Sequence, residues 1–154
     1  MKELNDKIIE WLKQHNIDKL SPDKQYLKII EEVGELARGL LKNDLEAIKD
    51  AIGDIYVALV GLSLQYEMEI KNIDGSSVII STDRGSLTQI IKVASSHPQD
   101  IDFEFAMKLL KGVAYINGYV FKECVDHAYN QVKDRDIKII EGVAVKWKKI
   151  MYIT

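Results

Sequence analysis

The chain has 154 residues, of which 47% are hydrophobic and 29% charged, and carries a net charge of −3. That length and apolar content suit one domain with its own core, and the scattered basic residues give no electrostatic footprint for a nucleic-acid polymer. No apolar run reaches membrane-spanning length and the N-terminal MKELNDKIIEWLKQ is charged rather than signal-like, so a cytoplasmic protein with no membrane partner is expected.

Residues 3–15 pattern as an amphipathic helix, with Leu4, Ile8, Trp11 and Leu12 on one face. Ser21-Pro22-Asp23 is a helix-start signal, Ser21 as N-cap and Pro22 in the first turn. In the helix that follows, Ile29, Ile30, Val33, Leu36, Ala37, Leu40 and Leu41 fill one arc, opposite Glu31, Glu32 and Glu35 with Lys28, Arg38 and Lys42. Taken alone, that charged arc is the solvated face of a surface helix. Gly34 and Gly39 interrupt it, marking either close packing on a neighbouring backbone or tolerated surface glycines.

A short turn at Lys42 to Asp44 leads into a second long helical pattern holding Asp50 and Asp54. Around Asp54 the helix is apolar on every side, with Ala51, Ile55, Val57, Ala58 and Leu62 as neighbours, so it is predicted to be buried. An unpartnered carboxylate there costs several kcal/mol or takes up a proton. If the turn folds the two helices antiparallel with the acidic face inward, Glu31, Glu32 and Glu35 come level with Asp50 and Asp54. Carboxylates so gathered need a cation, and all-oxygen ligands select Mg²⁺ or Mn²⁺. The apolar face from Ile55 to Leu64 exceeds what one small bundle readily covers, which predicts subunit contacts.

After Tyr66, residues 68–82 read as a small β-hairpin turning at Asp74-Gly75. Helical spacing returns from Asp83 to Ser96, stops at His97-Pro98, resumes at Asp102, breaks at Asn117-Gly118 and runs again from Val120 to Lys133. Cys124, the single cysteine, excludes an intrachain disulfide and reads as a packing residue. Beyond Arg135, IKIIEGVAVKW is extended in character, with Glu141-Gly142 as a turn signal. The fold class is therefore an all-α helical bundle with a small hairpin. There is no G-x-S-x-G, no Gly-rich phosphate loop and no histidine pair at ligand spacing, and His15, His97 and His127 stand apart. Asn130, Lys133 and Arg135 form either an ordinary polar helix end, with cations at the negative pole of the dipole, or a ligand-contacting group.

EEVGE from Glu31 to Glu35, followed by KDAIGD ending at Asp54, resembles the paired E-E-x-x-E and E-x-x-D motifs of the MazG-like all-α nucleoside triphosphate pyrophosphohydrolases. The likeness takes in Gln25 and Lys28 ahead of the acids and ECVDHAYNQVKDR from Glu123 to Arg135, and runs over most of the chain. One departure stands out: the family's second-half Glu falls on Ala51, and Asp50 lies one position early, on the face it shares with Asp54. The resemblance implies metal-dependent hydrolysis of a nucleoside triphosphate to monophosphate and pyrophosphate, in the service of nucleotide-pool house-cleaning. It assigns Mg²⁺ to Glu32, Glu35 and Asp54 with Asp50 as fourth ligand, and a second ion or the attacking water to Glu31. Lys28 and Arg135 would take phosphate charge, with Gln25, Asn130 and Lys133 as further substrate contacts and Trp11 either core or a base contact. A homodimer or homotetramer is also implied. The rival expectation is a non-catalytic nucleotide- or metal-binding regulatory protein on the same fold, which lost turnover with the change at Ala51; a helical interaction module with solvated acids is a third.

Overall fold

The computed structural model describes residues 1–71, 73–75 and 77–146. Among these, six α-helices run in the order α1 (Lys2–Gln14), α2 (Pro22–Lys42), α3 (Leu45–Gln65), α4 (Asp83–Ala94), α5 (Phe103–Ile116) and α6 (Phe121–Val132), followed by the antiparallel strands β1 (Ile137–Ile140) and β2 (Val143–Lys146). The architecture is all-α with one small hairpin. No helix among the described residues is long and apolar enough to cross a membrane.

The bundle is built around α3. Ile48, Ile52, Ile55, Tyr56, Leu59 and Leu62 are all fully enclosed, each side chain contributing about 2 kcal/mol through lost apolar exposure. α2, α6, α5 and α1 pack on it from different sides. Its apolar faces are thus covered within one chain: Val60 and Leu62 are 1% and 0% exposed. This corrects the sequence-based reason for expecting subunit contacts, which counted helix faces without the helices downstream that fill them.

The turn between α2 and α3 takes its shape from two residues. Asn43, in the left-handed region at φ 53°, ends α2, and its N–H returns to the Gly39 and Leu40 carbonyls. Asp44 then caps α3 by accepting from the Ala47 N–H at 3.1 Å. So short a link lays the helices side by side. Ser21 occupies the N-cap position of α2 in an extended conformation, but its side chain makes no capping bond. Of the two glycines in α2, a β-carbon on Gly39 would lie 3.1 Å from Ile48 Cγ1, whereas Gly34 faces open space; close packing holds at one and surface tolerance at the other.

Two polar contacts, one buried and one half-buried, tie α3 to α1 and to the turn that follows α1. Tyr56 donates its hydroxyl to Asn5 Oδ1 at 2.7 Å, and burial pushes the phenol upward. Gln65 donates to the Ile17 carbonyl at 2.9 Å, holding the 3-10 turn Ile17–Lys19 against the C-terminal end of α3. Each is worth about 1 kcal/mol net, and more is lost if one partner is removed.

The hairpin forms at the second of the two turn signals. The described residues of 68–82 contain no strand. Their backbone groups are claimed by α5 and the N-terminus instead: the Ile79 N–H donates to the Lys108 carbonyl, Lys111 Nζ to the Ile73 and Gly75 carbonyls, and Asp74 pairs with the terminal ammonium at 3.0 Å. Ile79 crosses α5 at Gly112, where a β-carbon would come 1.9 Å from the Ile79 carbonyl oxygen. An isolated two-stranded ribbon is marginal in water, so these long-range contacts outweigh it. At Glu141-Gly142 both residues adopt positive φ, 50° and 77°, as a type I′ turn needs, and Ile140 pairs with Val143 across it.

α6 meets α3 at Gly53, where a β-carbon would lie 2.2 Å from the Cys124 carbonyl oxygen and 2.7 Å from Ala128 Cβ. Cys124 is wholly buried there, and burial raises its thiol to about 11. Gly53→Val should therefore cost about 3 kcal/mol in urea unfolding, by forcing the two helices apart; Gly34→Ala, in open space, should cost nothing comparable.

Candidate functional site

The acids predicted on α2 and α3 do not share one fate. Glu32 is 5% exposed, while Glu31 and Glu35 lie on the solvent side. α2 is rotated so that its inner arc runs through Ile29, Glu32, Val33 and Leu36, and the acidic arc turns inward only at Glu32. On α3, Asp54 faces the seam with α2, largely enclosed by the apolar helix that carries it. Burial, together with the charges of Glu32 and Asp50, pushes its carboxyl up to about 7; Lys28 and Arg135 pull the other way. Burial also raises Glu32, although Lys28 opposes it.

Lys28 is the cation at this seam. One turn before Glu32, its Nζ bonds Glu32 and, at 2.8 Å, Glu31. Burial works against its charge, but the two carboxylates hold its ammonium above the ordinary lysine value. Glu35 turns away toward Arg38, 3.8 Å distant. Asp50 points to α6: its Oδ1 accepts from Gln131 Nε2 at 2.8 Å and lies 3.2 Å from His127 Nε2. Gln131 Oε1 in turn accepts from Arg135 Nη2 at 3.1 Å. Asp50, Gln131 and Arg135 thus form a chain that leads the guanidinium back toward Asp54.

A pocket of about 260 Å³ opens beside the acid pair. It is lined by the charged residues Lys24, Lys28, Glu32, Asp54 and Arg135 and by apolar side chains that include Trp11, Leu20 and, from the hairpin, Val143 and Ala144. Gln25 also lines it, but its amide is committed: Nε2 donates to the Ala58 carbonyl at 2.8 Å and Oε1 accepts from Gln65. A wider depression of about 830 Å³, between α1 and residues 67–75, contains none of the predicted acids. Asn130, bonded to Asp126, and the exposed Lys133 lie outside the residues lining the acid-side pocket.

The donor set fits a hard cation in its chemistry, because the buried Glu32 and the half-buried Asp54 are oxygen donors that repel each other. As arranged, it is incomplete. Among the described residues no group of three or more His, Cys, Asp or Glu side chains is placed to hold a metal ion, since Lys28 already neutralises Glu32, Glu35 faces solvent and Asp50 is bonded to α6.

Gln131 and the hairpin residues of the pocket escape the sequence reading as site residues; His127, which that reading places near Tyr129 and Asn130 as a surface or packing residue able to approach a substrate, meets Asp50. The spacing of His127, Gln131 and Arg135, four apart on one face of α6 and its continuation, was the available signal. Nothing in IKIIEGVAVKW by itself says which surface its strands will cover.

The fold and this site define an all-α bundle with a half-buried acid and lysine cluster at one helix seam. No protein-family model matches the chain, and no solved structure does. A protein of Haemophilus phage HP1 (strain HP1c1), described as "Uncharacterized 18.2 kDa protein in rep-hol intergenic region", is 37% identical over 70 residues, which is 45% of this chain and 43% of that protein. The similarity thus spans less than half of the phage protein.

An acid whose folded value is raised favours its protonated form in the native state. Its native state therefore binds more protons than the unfolded one between the ordinary aspartate value and about 7, and stability falls as pH rises through that window. In chelator, thermal unfolding should show this loss between about pH 4 and pH 7, amounting to at most about 4 kcal/mol for Asp54. Asp54→Asn should flatten the slope and raise the melting temperature at pH 8.

Proposed function

We propose that the chain is a metal-dependent nucleoside triphosphate pyrophosphohydrolase, releasing a nucleoside monophosphate and pyrophosphate from a ribo- or deoxynucleoside triphosphate. The observation that carries this reading is that the buried Glu32 and the half-buried Asp54 line one pocket together with Lys28, Arg135 and a set of apolar side chains. A nucleotide has the matching halves: a flat, weakly polar base and a polyanionic tail.

Glu32 and Asp54 would hold Mg²⁺ or Mn²⁺, which when bound supplies charge neutralisation and lowers the pKa of a coordinated water. The protein's own groups do the rest. Lys28 and Arg135, both lining the pocket, offer positive charge to the phosphates, and Gln131 orients the guanidinium through its bond to Asp50. Glu31, exposed and bonded to Lys28, would orient the attacking water or hold a second ion, as the resemblance implies, although it does not itself line the pocket. The apolar helices around Asp54 reduce its contact with solvent, which strengthens each of these interactions. Nucleotide-pool house-cleaning in the cytoplasm, by a homodimer or homotetramer, belongs to the same proposal and rests on the resemblance of the two acidic motifs.

One observation favours a second reading, a nucleotide- or metal-binding regulatory protein without turnover. Ala51 leaves a ligand position empty of oxygen, and Asp50 bonds Gln131 and His127 rather than turning toward Glu32.

Pyrophosphate release from a panel of ribo- and deoxynucleoside triphosphates, with Mg²⁺, Mn²⁺ or chelator, separates the two. Hydrolysis should require the metal, and Glu32→Gln and Asp54→Asn should each lower kcat by about 100-fold. Asp50→Asn should act more weakly, mainly on KM, because Asp50 reaches the phosphates through Gln131 and Arg135. Metal-dependent binding without any release of pyrophosphate would favour the regulatory reading.

A further inference from the structure

Three cations line the acid-side pocket, Lys24, Lys28 and Arg135, and two of them have partners. Lys28 is shared between Glu31 and Glu32, and Arg135 donates to Gln131 Oε1. Lys24, exposed in the first turn of α2, makes no hydrogen bond or ion pair among the described residues. The sequence around it gives the reason. Three and four residues away stand Leu20, Ser21, Leu27 and Lys28, so no acid lies within reach on its own face of the helix and the nearest charge there is a second lysine. Asp23, next to it in the chain, sits about 100° round the helix. Lys133, at the end of α6, is exposed and does not line the pocket, so the third cation comes from the start of α2 instead.

Lys24, Lys28 and Glu32 follow one another at four-residue spacing, each about 6 Å further along the axis. Lys24 thus extends the positive wall one turn past the lysine that neutralises Glu32. An anion meeting Lys28 competes with two carboxylates, whereas one meeting Lys24 breaks no existing pair. A single phosphate held beside Glu32 stands two turns, about 12 Å along the helix, from the base of the Lys24 side chain; a chain of phosphates covers part of that distance and the long lysine stem the rest. We propose that Lys24 is a substrate-binding residue that pairs with the far end of a polyphosphate tail while the near end lies at Glu32 and Asp54, so that the pocket selects linked phosphates over a single one. The proposal rests on the nucleoside triphosphate reading and adds how the length of the tail is recognised.

Calorimetric titration of the intact chain in Mg²⁺, with inorganic pyrophosphate and with orthophosphate, tests this without depending on hydrolysis. The wild type should bind pyrophosphate at least about 10-fold more tightly than orthophosphate. Lys24→Gln should weaken pyrophosphate by about 10-fold, the effect of one charge-assisted hydrogen bond, and leave orthophosphate within about 2-fold. Because Lys24 is bonded to nothing in the fold, the melting temperature should stay where it is, and Lys24→Arg should restore the affinity. Lys42→Gln removes the same charge at the other end of α2, about 27 Å and several Debye lengths away, and should alter neither affinity. Pyrophosphate binding unchanged in Lys24→Gln overturns the proposal, as does an equal loss for orthophosphate, an equal loss in Lys42→Gln, or a wild type that binds pyrophosphate no better than orthophosphate. Pyrophosphate affinity lost with Lys24 in a chain that hydrolyses no nucleoside triphosphate supports the subsite and removes the hydrolase. Turnover whose KM is indifferent to Lys24→Gln supports the hydrolase and removes the role of Lys24.

Discussion

Two carboxylates cannot share a dry helix seam without something positive beside them, and this constraint organises the protein. Asp54 lies half-buried on a helix whose other faces are filled by isoleucine, leucine and tyrosine, so water supplies only part of the compensation. Glu32 comes from the neighbouring helix, and each raises the free energy of the other's charged form. Lys28 answers from within α2 and Arg135 from beyond α6. The seam therefore carries an unsettled charge balance, with one acid held near neutrality in its protonation. Such a site responds to any cation or polyanion that enters, and that is what makes it chemically useful.

What keeps the arrangement in place is the approach of α6 to α3. Gly53 lets the Cys124 carbonyl and Ala128 come against the α3 backbone, and with α6 at that distance Asp50 meets Gln131 and His127. The same register carries the chain past Val132 to Arg135 and then into the hairpin that walls the pocket. A single small residue on α3 thus sets the position of a guanidinium, of a hydrogen-bonded chain and of an apolar wall. Core packing and site geometry are one problem here, because the site lies where three helices converge.

The hairpin shows how competition between local and long-range contacts is resolved. Both Asp74-Gly75 and Glu141-Gly142 are turn sequences of the right kind. At the first, Lys111 and the terminal ammonium capture the carbonyl and carboxylate groups, and Ile79 lies across Gly112 of α5. At the second the two strands pair with each other, from Ile140 with Val143 to Ile137 with Lys146. Local turn preference is worth too little to prevail where helices offer better partners.

The sequence by itself determined the helices and their order. The 3.6-residue pattern, Pro22, the Asn43-Asp44 pair, Asp102 and Gly118 act within a few residues of themselves, and their effects need no knowledge of the remainder of the chain. It also determined that the helix carrying Asp54 would be enclosed, since it is apolar on all sides, although Asp54 itself lies half-buried at a pocket. Tertiary structure alone decided which acids would join it. The helical phase of α2 relative to α3 sends Glu32 inward and leaves Glu31 and Glu35 in solvent, and that phase is set by packing of Ile29, Val33 and Leu36 against the core. It also decided that Asp50 would serve α6 and that the apolar faces of α3 would be covered within one chain. These are outcomes of contacts between residues far apart in sequence, where a rotation of one helix by a fraction of a turn exchanges a buried carboxylate for an exposed one.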